Sequence, residues 1–212
     1  MILYHGTSAR YLKRILKKGL LPRKLTGKSN WEGDVASKEM FVYLSKCYPV
    51  YFALAAIKDD DSLLILKVDV EEAELYPDED YISKCLHAHH DEFKDVHLRK
   101  INPHVALDDY KHHWVDSLKN NGLVSVKDGI PHDGIVDYVI MDPKECAMEI
   151  LNLGGDAVPI PMNYKLYGPS YEKGLEVLFA TRSPREAVLA CVNANTLLPP
   201  EILAALQQRF AR

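Results

Sequence analysis

The most constraining stretch of this sequence is its start. Met1–Tyr4 reads as an edge or inner strand, and His5-Gly6-Thr7-Ser8 turns it straight into a helix. Such a turn brings an imidazole, a bare backbone and hydroxyls to one point. Thr7 or Ser8 can cap the helix by accepting from the N–H groups that its first turn leaves free. Leu12, Ile15 and Leu16 form the apolar stripe of that helix, Arg10, Lys13, Arg14, Lys17 and Lys18 its solvent face, and Gly19 its end. About forty residues later, Phe41–Leu44 predicts a second strand and Tyr51–Ile57 a helix, with Pro49 tolerated in the first turn. Tyr43 and Tyr51 then offer two flat walls for an aromatic ring.

Between these blocks, residues 22–40 form a polar loop suited to covering a ligand, with Asn30 and Trp31 as its candidate contacts. Asp59-Asp60-Asp61 marks a turn before a strong β run at Leu63–Val70. Asp78–His90 and Val105–Asn120 read as helices, the second stopped by Gly122. Leu123–Val126 and Ile135–Met141 read as a strand pair around Asp128-Gly129-Ile130-Pro131, and Cys146–Leu153 fits a short strand or a helix. The expected fold class is α+β, a split antiparallel-rich sheet with flanking helices. Residues 1–153 would form the main domain, the Gly-, Pro- and Tyr-rich residues 154–174 a connector, and residues 175–212 a small helical C-terminal appendage. A single helical unit of that kind must dock to bury its apolar face.

A chain of 212 residues with 47% hydrophobic and 26% charged residues fits one ordinary globular domain with an appendage. The longest apolar run, Val50 to Ile57, is too short to span a bilayer, and no signal-peptide pattern precedes the first strand. Cys47, Cys85, Cys146 and Cys191 are scattered, which points to reduced packing residues and a cytoplasmic setting. Histidines 87, 89 and 90, and the pair His112-His113, lack the spacing and partners of a zinc set, so no metal is expected. No dinucleotide-binding glycine fingerprint or phosphate-binding loop is present. The net charge of −4 conceals eight Lys or Arg and no acid within residues 1–28, leaving −12 on the other 184. That basic segment suits a pyrophosphate or a polyanionic target such as nucleic acid.

Tyr4-His5-Gly6-Thr7-Ser8, Ile15-Leu16, Gly19-Leu20 and Val42-Tyr43-Leu44-Ser45, in this order, resemble the ADP-ribosyltransferase superfamily. The likeness is to its His-Tyr-Glu branch of poly(ADP-ribose) polymerases and diphtheria-type toxins. It covers residues 1–70 and, more loosely, 123–151. It implies NAD as co-substrate, with His5 on the ribose hydroxyls, the Gly6 backbone on the nicotinamide carboxamide, and Thr7 assisting. Tyr43 and Tyr51 would sandwich the nicotinamide, and Tyr48 stands where many relatives carry a small residue. The third signature departs from the pattern: Ile135-Val136-Asp137-Tyr138 offers Asp137 in place of glutamate, with Glu145 in reserve.

The resemblance implies single ADP-ribose units added to a protein or nucleic acid, as by a bacterial or phage effector or the toxin of a toxin–antitoxin pair. An antitoxin or another protein partner belongs to that expectation, and a membrane does not. Breaking the nicotinamide–ribose bond develops positive charge on the ribose, so the site must fix ring and ribose and place a carboxylate nearby. His5, Tyr43 and Asp137 are the expected catalytic set. Two alternatives stand beside it. One is an RNA 2′-phosphotransferase-like enzyme, which needs an Arg-His pair where this chain has Tyr4-His5. The other is a degenerate module that binds an NAD-like ligand or a partner without turnover.

Overall fold

A computed structural model of the chain describes residues 1–27, 37–58, 61–85, 107–143 and 160–195, together with 200, 201, 204 and 208. Six strands form one sheet: β1 (Ile2–Ser8), β2 (Phe41–Ser45), β3 (Leu63–Asp69), β4 (Leu75–Pro77), β5 (Leu123–Lys127) and β6 (Ile135–Met141). Their order is β4-β5-β2-β1-β3-β6, and each neighbouring pair is antiparallel. Helices are α1 (Leu12–Lys18), α2 (Arg23–Thr26), α3 (Pro49–Ala56), α4 (Trp114–Asn121), α5 (Ile160–Thr181) and α6 (Pro184–Ala194). The fold is α+β, and no helix among the described residues is long and apolar enough to cross a membrane.

Period-two alternation sorts the side chains onto two faces. One face joins Leu3, Val42, Leu44, Leu64, Leu66 and Val124 in a core closed by Ile15 after β1 and by Leu118 of α4. The opposite face buries Leu63, Ile65, Val139 and Met141 against Ala53 of α3 and Leu175, Leu178 and Phe179 of α5. Ser8 caps a short 3-10 turn, Ala9–Tyr11, by accepting from the Arg10 N–H, and α1 follows. The strand thus runs four residues past the expected end at Tyr4: His5-Gly6-Thr7-Ser8, read from the sequence as the turn into the helix, pair with Leu66, Ile65, Leu64 and Leu63 of β3, and the helix starts one turn later.

Three further expectations change. First, β5 and β6 are not a hairpin: β5 lies between β4 and β2, while β6 pairs with β3 at the far edge. The cause is a long-range tie. Leu20 and Ile130 exchange two backbone bonds of 2.8 Å, which draws the chain after β5 towards the end of α1. Gly129 permits this, since its φ is +104° and a Cβ there would lie 2.4 Å from the Leu20 carbonyl oxygen. Second, the segment expected as a helix over Asp78–His90 is helical from Glu79, but it widens into a π turn at Tyr81–Cys85, and residues 86–90 lie outside the described set. Val105–Asn120 becomes a 3-10 segment, Leu107–His113, running into α4.

Third, much of the expected connector is helix, because α5 runs unbroken through Gly168-Pro169 to Thr181. Tyr164, Tyr171, Leu175 and Leu178 recur at helical spacing and are buried or half-buried against the sheet side of the molecule. That stripe outweighs the proline, which removes one backbone hydrogen bond and crowds the carbonyl one turn before it. The boundary drawn at residue 174 thus falls inside a helix. Cys146–Leu153 lies outside the described residues.

β1 and α3 touch through bare backbone. A Cβ on Gly6 would lie 1.7 Å from the Pro49 carbonyl oxygen and 2.8 Å from the Ala53 nitrogen. Gly6→Ala must push helix from sheet and should cost about 3 kcal/mol or more. Gly27→Ala, with φ +70° but nothing within 4 Å of the new methyl, should cost only about 1–2 kcal/mol. Urea unfolding of both variants checks the contrast, and equal losses would contradict it.

Candidate functional site

The sheet opens between its two central strands. β1 pairs with β3 along its whole length, Ile2↔Asp69 to Ser8↔Leu63, yet meets β2 at one pair, Tyr4↔Ser45. β2 turns its other side to β5, from Phe41↔Lys127 to Ser45↔Leu123. Beyond Tyr4 the strands part, and the residues at the parting are His5, Gly6 and Thr7. One side-chain bond crosses the gap: His5 Nδ1 donates to the Tyr43 carbonyl oxygen at 2.9 Å. A carbonyl only accepts, so that bond selects the Nδ1–H tautomer and leaves Nε2 as an acceptor. Enclosure by protein pushes the imidazole pKa down, against the upward pull of the Tyr43 carbonyl. His5 is therefore neutral near pH 7, with Nε2 able to accept from a hydroxyl.

Gly6 keeps this opening against the start of α3, as its contact with Pro49 requires. Thr7 is buried, in register with Leu64 of β3. Tyr43 lies in register with Ser125, and Ser125 with Tyr76 of β4. Its half-buried ring packs against the cluster of Phe41, Tyr76, Tyr81, Ile82 and Leu107. The Tyr43 hydroxyl bonds to Glu79 Oε1, and the Lys38 backbone N–H donates to both, at 2.7 Å and 2.8 Å. Burial first, then the neighbouring Glu79, pushes the phenol pKa far up, so Tyr43 keeps its proton and is the donor to Glu79.

Glu79 and its neighbour Asp78 are the residues that sequence reasoning missed. Both are buried. Burial raises the Glu79 carboxyl pKa, and the Tyr43 and Lys38 bonds only partly offset it. Asp78 is raised by burial, then by Glu79 and Asp80, while its Oδ1 accepts from the Asp80 N–H at 2.8 Å. Its own N–H donates to Ser117 Oγ of α4 at 3.0 Å. The available signal was an acidic triplet placed directly after a β run and bracketed by Tyr76 and Tyr81. A solvated turn rarely carries such apolar flanks.

The other expected contacts are dispersed. Tyr48 is buried, its ring centroid 6.3 Å from that of Tyr164 and 5.7 Å from that of Tyr171, so α5 covers it. Tyr51 lies edge-on to Phe52 at 5.6 Å and lines an apolar cavity of about 80 Å³. Cys47, Met141, Leu178, Val188 and Cys191 share that cavity, which lies between α3 and the α5–α6 pair. Tyr43 is thus fastened on the β4 side and Tyr51 opens towards the C-terminal helices. Asn30, Trp31, Glu145 and histidines 87, 89 and 90 lie outside the described residues. The rings of His112 and His113 lie with centroids 4.0 Å apart, tilted by 42°, and His113 faces Asp116 at 3.4 Å. Among the described residues no three metal-ligating side chains converge.

Asp137 sits in β6, opposite Lys67 of β3, which is itself opposite Tyr4 of β1. That places it two strands, or roughly 10 Å, from β1 and away from the opening. Arg182, just past α5, donates to Asp137 Oδ2 at 2.6 Å and to the Tyr138 carbonyl at 3.0 Å, and the Tyr138 N–H donates to Asp137 Oδ1 at 2.8 Å. Partial burial pushes its pKa up, but these bonds prevail and hold it below the usual carboxylate value. Of the two carboxylates, Glu79 touches an expected site residue, while the bonds of Asp137 go to Arg182 and Tyr138.

The opposite shifts give a signed prediction. Glu79 binds its proton more tightly folded than unfolded. Its contribution to stability is therefore full below the ordinary value of 4.5 and is lost as pH rises through the raised native value. Asp78 acts in the same direction from 3.8 upward. Asp137 acts oppositely, its contribution being lost as pH falls through its depressed value. Glu79→Gln keeps an acceptor for Tyr43 and Lys38 without the charge. Urea unfolding in stepped buffers above pH 4.5 should show a shallower decline for this variant, and an unchanged slope would remove Glu79 from the account.

Compared with family models and with curated proteins, the sequence gives no match.

Proposed function

We propose that the chain is an NAD-dependent ADP-ribosyltransferase that adds single units to a macromolecule. The observation that carries this reading is the opening between β1 and β2, which falls at His5-Gly6-Thr7 and is spanned by the His5 imidazole on the Tyr43 carbonyl. The residues present fit the co-substrate. Neutral His5 offers Nε2 to a ribose hydroxyl, strand β1 offers backbone at the parting, and Tyr43 offers a ring whose hydroxyl is already held by Glu79. NAD supplies an activated glycosidic bond, and the protein must orient it, keep water out and place negative charge beside the ribose. Fixing Tyr43 beforehand saves the ordering cost that a free ring would carry.

A module that binds without turnover is favoured by one observation, the closure of Asp137 into an ion pair with Arg182. Incubating the chain with labelled NAD and separate protein, DNA and RNA pools distinguishes the readings. Released nicotinamide with label on one pool supports transfer, whereas NAD binding with no release supports the module. In calorimetry, His5→Ala should weaken NAD binding at least about tenfold, because its bond to the substrate is charge-neutral and worth about 1.5 kcal/mol with its positioning role. Unchanged affinity would sink the assignment.

The carboxylate is tested by two variants and one pH profile. Asp137→Asn should cost about two to three orders of magnitude in rate with little change in NAD affinity if Asp137 supplies the charge. Wild-type rate would then be flat above the ordinary carboxylate range, since that group is held ionised. If Glu79 supplies it, Glu79→Gln takes the loss, and the wild-type rate climbs as pH rises through the elevated pKa of a group enclosed by Tyr43, Lys38, Asp78 and Asp80. Equal activity in both variants would assign the charge to neither.

A further inference from the structure

We propose that the basic face of α1 and α2 binds the phosphate backbone of a nucleic-acid strand beside the opening in the sheet. Lys13, Arg14, Lys17 and Lys18 are exposed on α1, and Lys24 on α2. Among the described residues none of the five has an acidic partner. The first acid in the sequence is Glu32. Arg10 and Arg23 differ, since they are used at home: Arg10 on Asp61 and Ser8, Arg23 on Glu39 at 3.6 Å and the Ser37 carbonyl at 3.1 Å. Two cations are thus spent on holding the surface in place, and five are left pointing to solvent.

The structure also ties this surface to the opening. The Lys24 N–H donates to the Glu39 carbonyl at 2.8 Å, and Arg23 grips Ser37 and Glu39. Between those two anchors, the Lys38 N–H donates to the Tyr43 hydroxyl and to Glu79. The basic helices and the Tyr43 wall therefore share one short segment, residues 37–39. A strand lying along α1 and α2 is delivered to the rim of the site.

Three features select nucleic acid over other polyanions. Arg10 and Arg14 lie over the Tyr11 ring at 5.6 Å and 5.4 Å from its centroid, so the basic face carries a cation–aromatic cluster of the kind used on nucleic-acid strands. A helix that lies in a membrane interface needs a continuous apolar face, whereas α1 turns Ile15 into the core and leaves only Leu16, with Leu25 on α2, exposed among the cations. The remaining chain carries −12, so only a partner with dense, closely spaced negative charge gains enough at the basic face to approach. As the place where an acceptor docks, this surface rests on the transferase reading; as a binding surface it does not.

The test uses the full chain and fluorescence anisotropy with labelled 20-nucleotide single-stranded DNA and RNA of one mixed sequence, across a salt series, with poly-glutamate as the competing polyanion. The wild type should bind at least one of the two oligonucleotides, with affinity falling steeply as salt rises. Lys13→Glu/Lys17→Glu/Lys18→Glu should weaken that binding about tenfold or more, and should flatten the log–log salt slope by about 2, the value for three lost contacts on a single strand. The neutral set Lys13→Gln/Lys17→Gln/Lys18→Gln should flatten the slope equally, with a smaller loss of affinity and less burden on the helix C-terminus, and Lys173→Glu, at an exposed position of α5, should bind as wild type. Undiminished binding in both triple variants, absence of salt-dependent binding, or equal affinity for poly-glutamate would each overturn the proposal. NAD affinity measured on the same preparations separates the two readings. Oligonucleotide binding lost with NAD binding retained supports the surface, and NAD binding absent throughout removes the transferase reading while leaving the surface standing.

Discussion

The close approach of β1 to α3 at Gly6 is the constraint on which the rest of the molecule depends. With no side chain at this position, the Pro49 carbonyl can sit against the strand, and α3 lies directly on the centre of the sheet. That placement fixes Tyr48 where Tyr164 and Tyr171 of α5 can enclose it, so the C-terminal helices are buttressed from the same point. On the same strand, one side pairs fully with β3 while the other parts from β2. A single methyl at residue 6 would disturb packing, the opening and the C-terminal helices together.

Local structure was legible where neighbouring residues decide it. β2, β3 and α3 fall where alternation and the proline place them, whereas β1 runs on through His5-Gly6-Thr7-Ser8, which read locally as a turn, because a distant strand pairs with them. What could not be read was set by distant partners. Asp128 and Gly129 have positive φ and look like the tip of a hairpin, yet the Leu20–Ile130 bridge sends the following strand to the opposite edge. The stretch around Gly168-Pro169 resembles a connector in composition, but its tyrosines find Tyr48 and Gly122, and burial overrides propensity. Glu79 was invisible for a similar reason. An acidic run is ordinarily solvated, and only the Tyr43 hydroxyl and the Lys38 N–H, both remote in sequence, make its burial tolerable.

The two candidate carboxylates are electrostatic opposites. Asp137 is half-open, paired with a guanidinium and held below the usual carboxylate value. Glu79 is enclosed, close to a second acid and reluctant to ionise. A charge that already has a strong partner gives less to a newly forming cation, whereas an unneutralised charge in a low-dielectric setting gives more but is costlier to maintain. The chain therefore separates a carboxylate that stabilises the union of sheet and C-terminal helices from one bound to the aromatic wall of the opening.

β6, the last strand of the described sheet, carries Val136, Tyr138 and Ile140 outward, all exposed. A flat row of apolar residues on a terminal strand is a template on which a second chain can add itself by backbone pairing. Arg182 counters this, since the guanidinium that binds Asp137 also takes the Tyr138 carbonyl and so occupies one backbone acceptor in the middle of the strand. The bond that ties the C-terminal helices to the sheet thus serves as a gatekeeper against aggregation, and its loss would be felt first as a concentration-dependent tendency to self-associate.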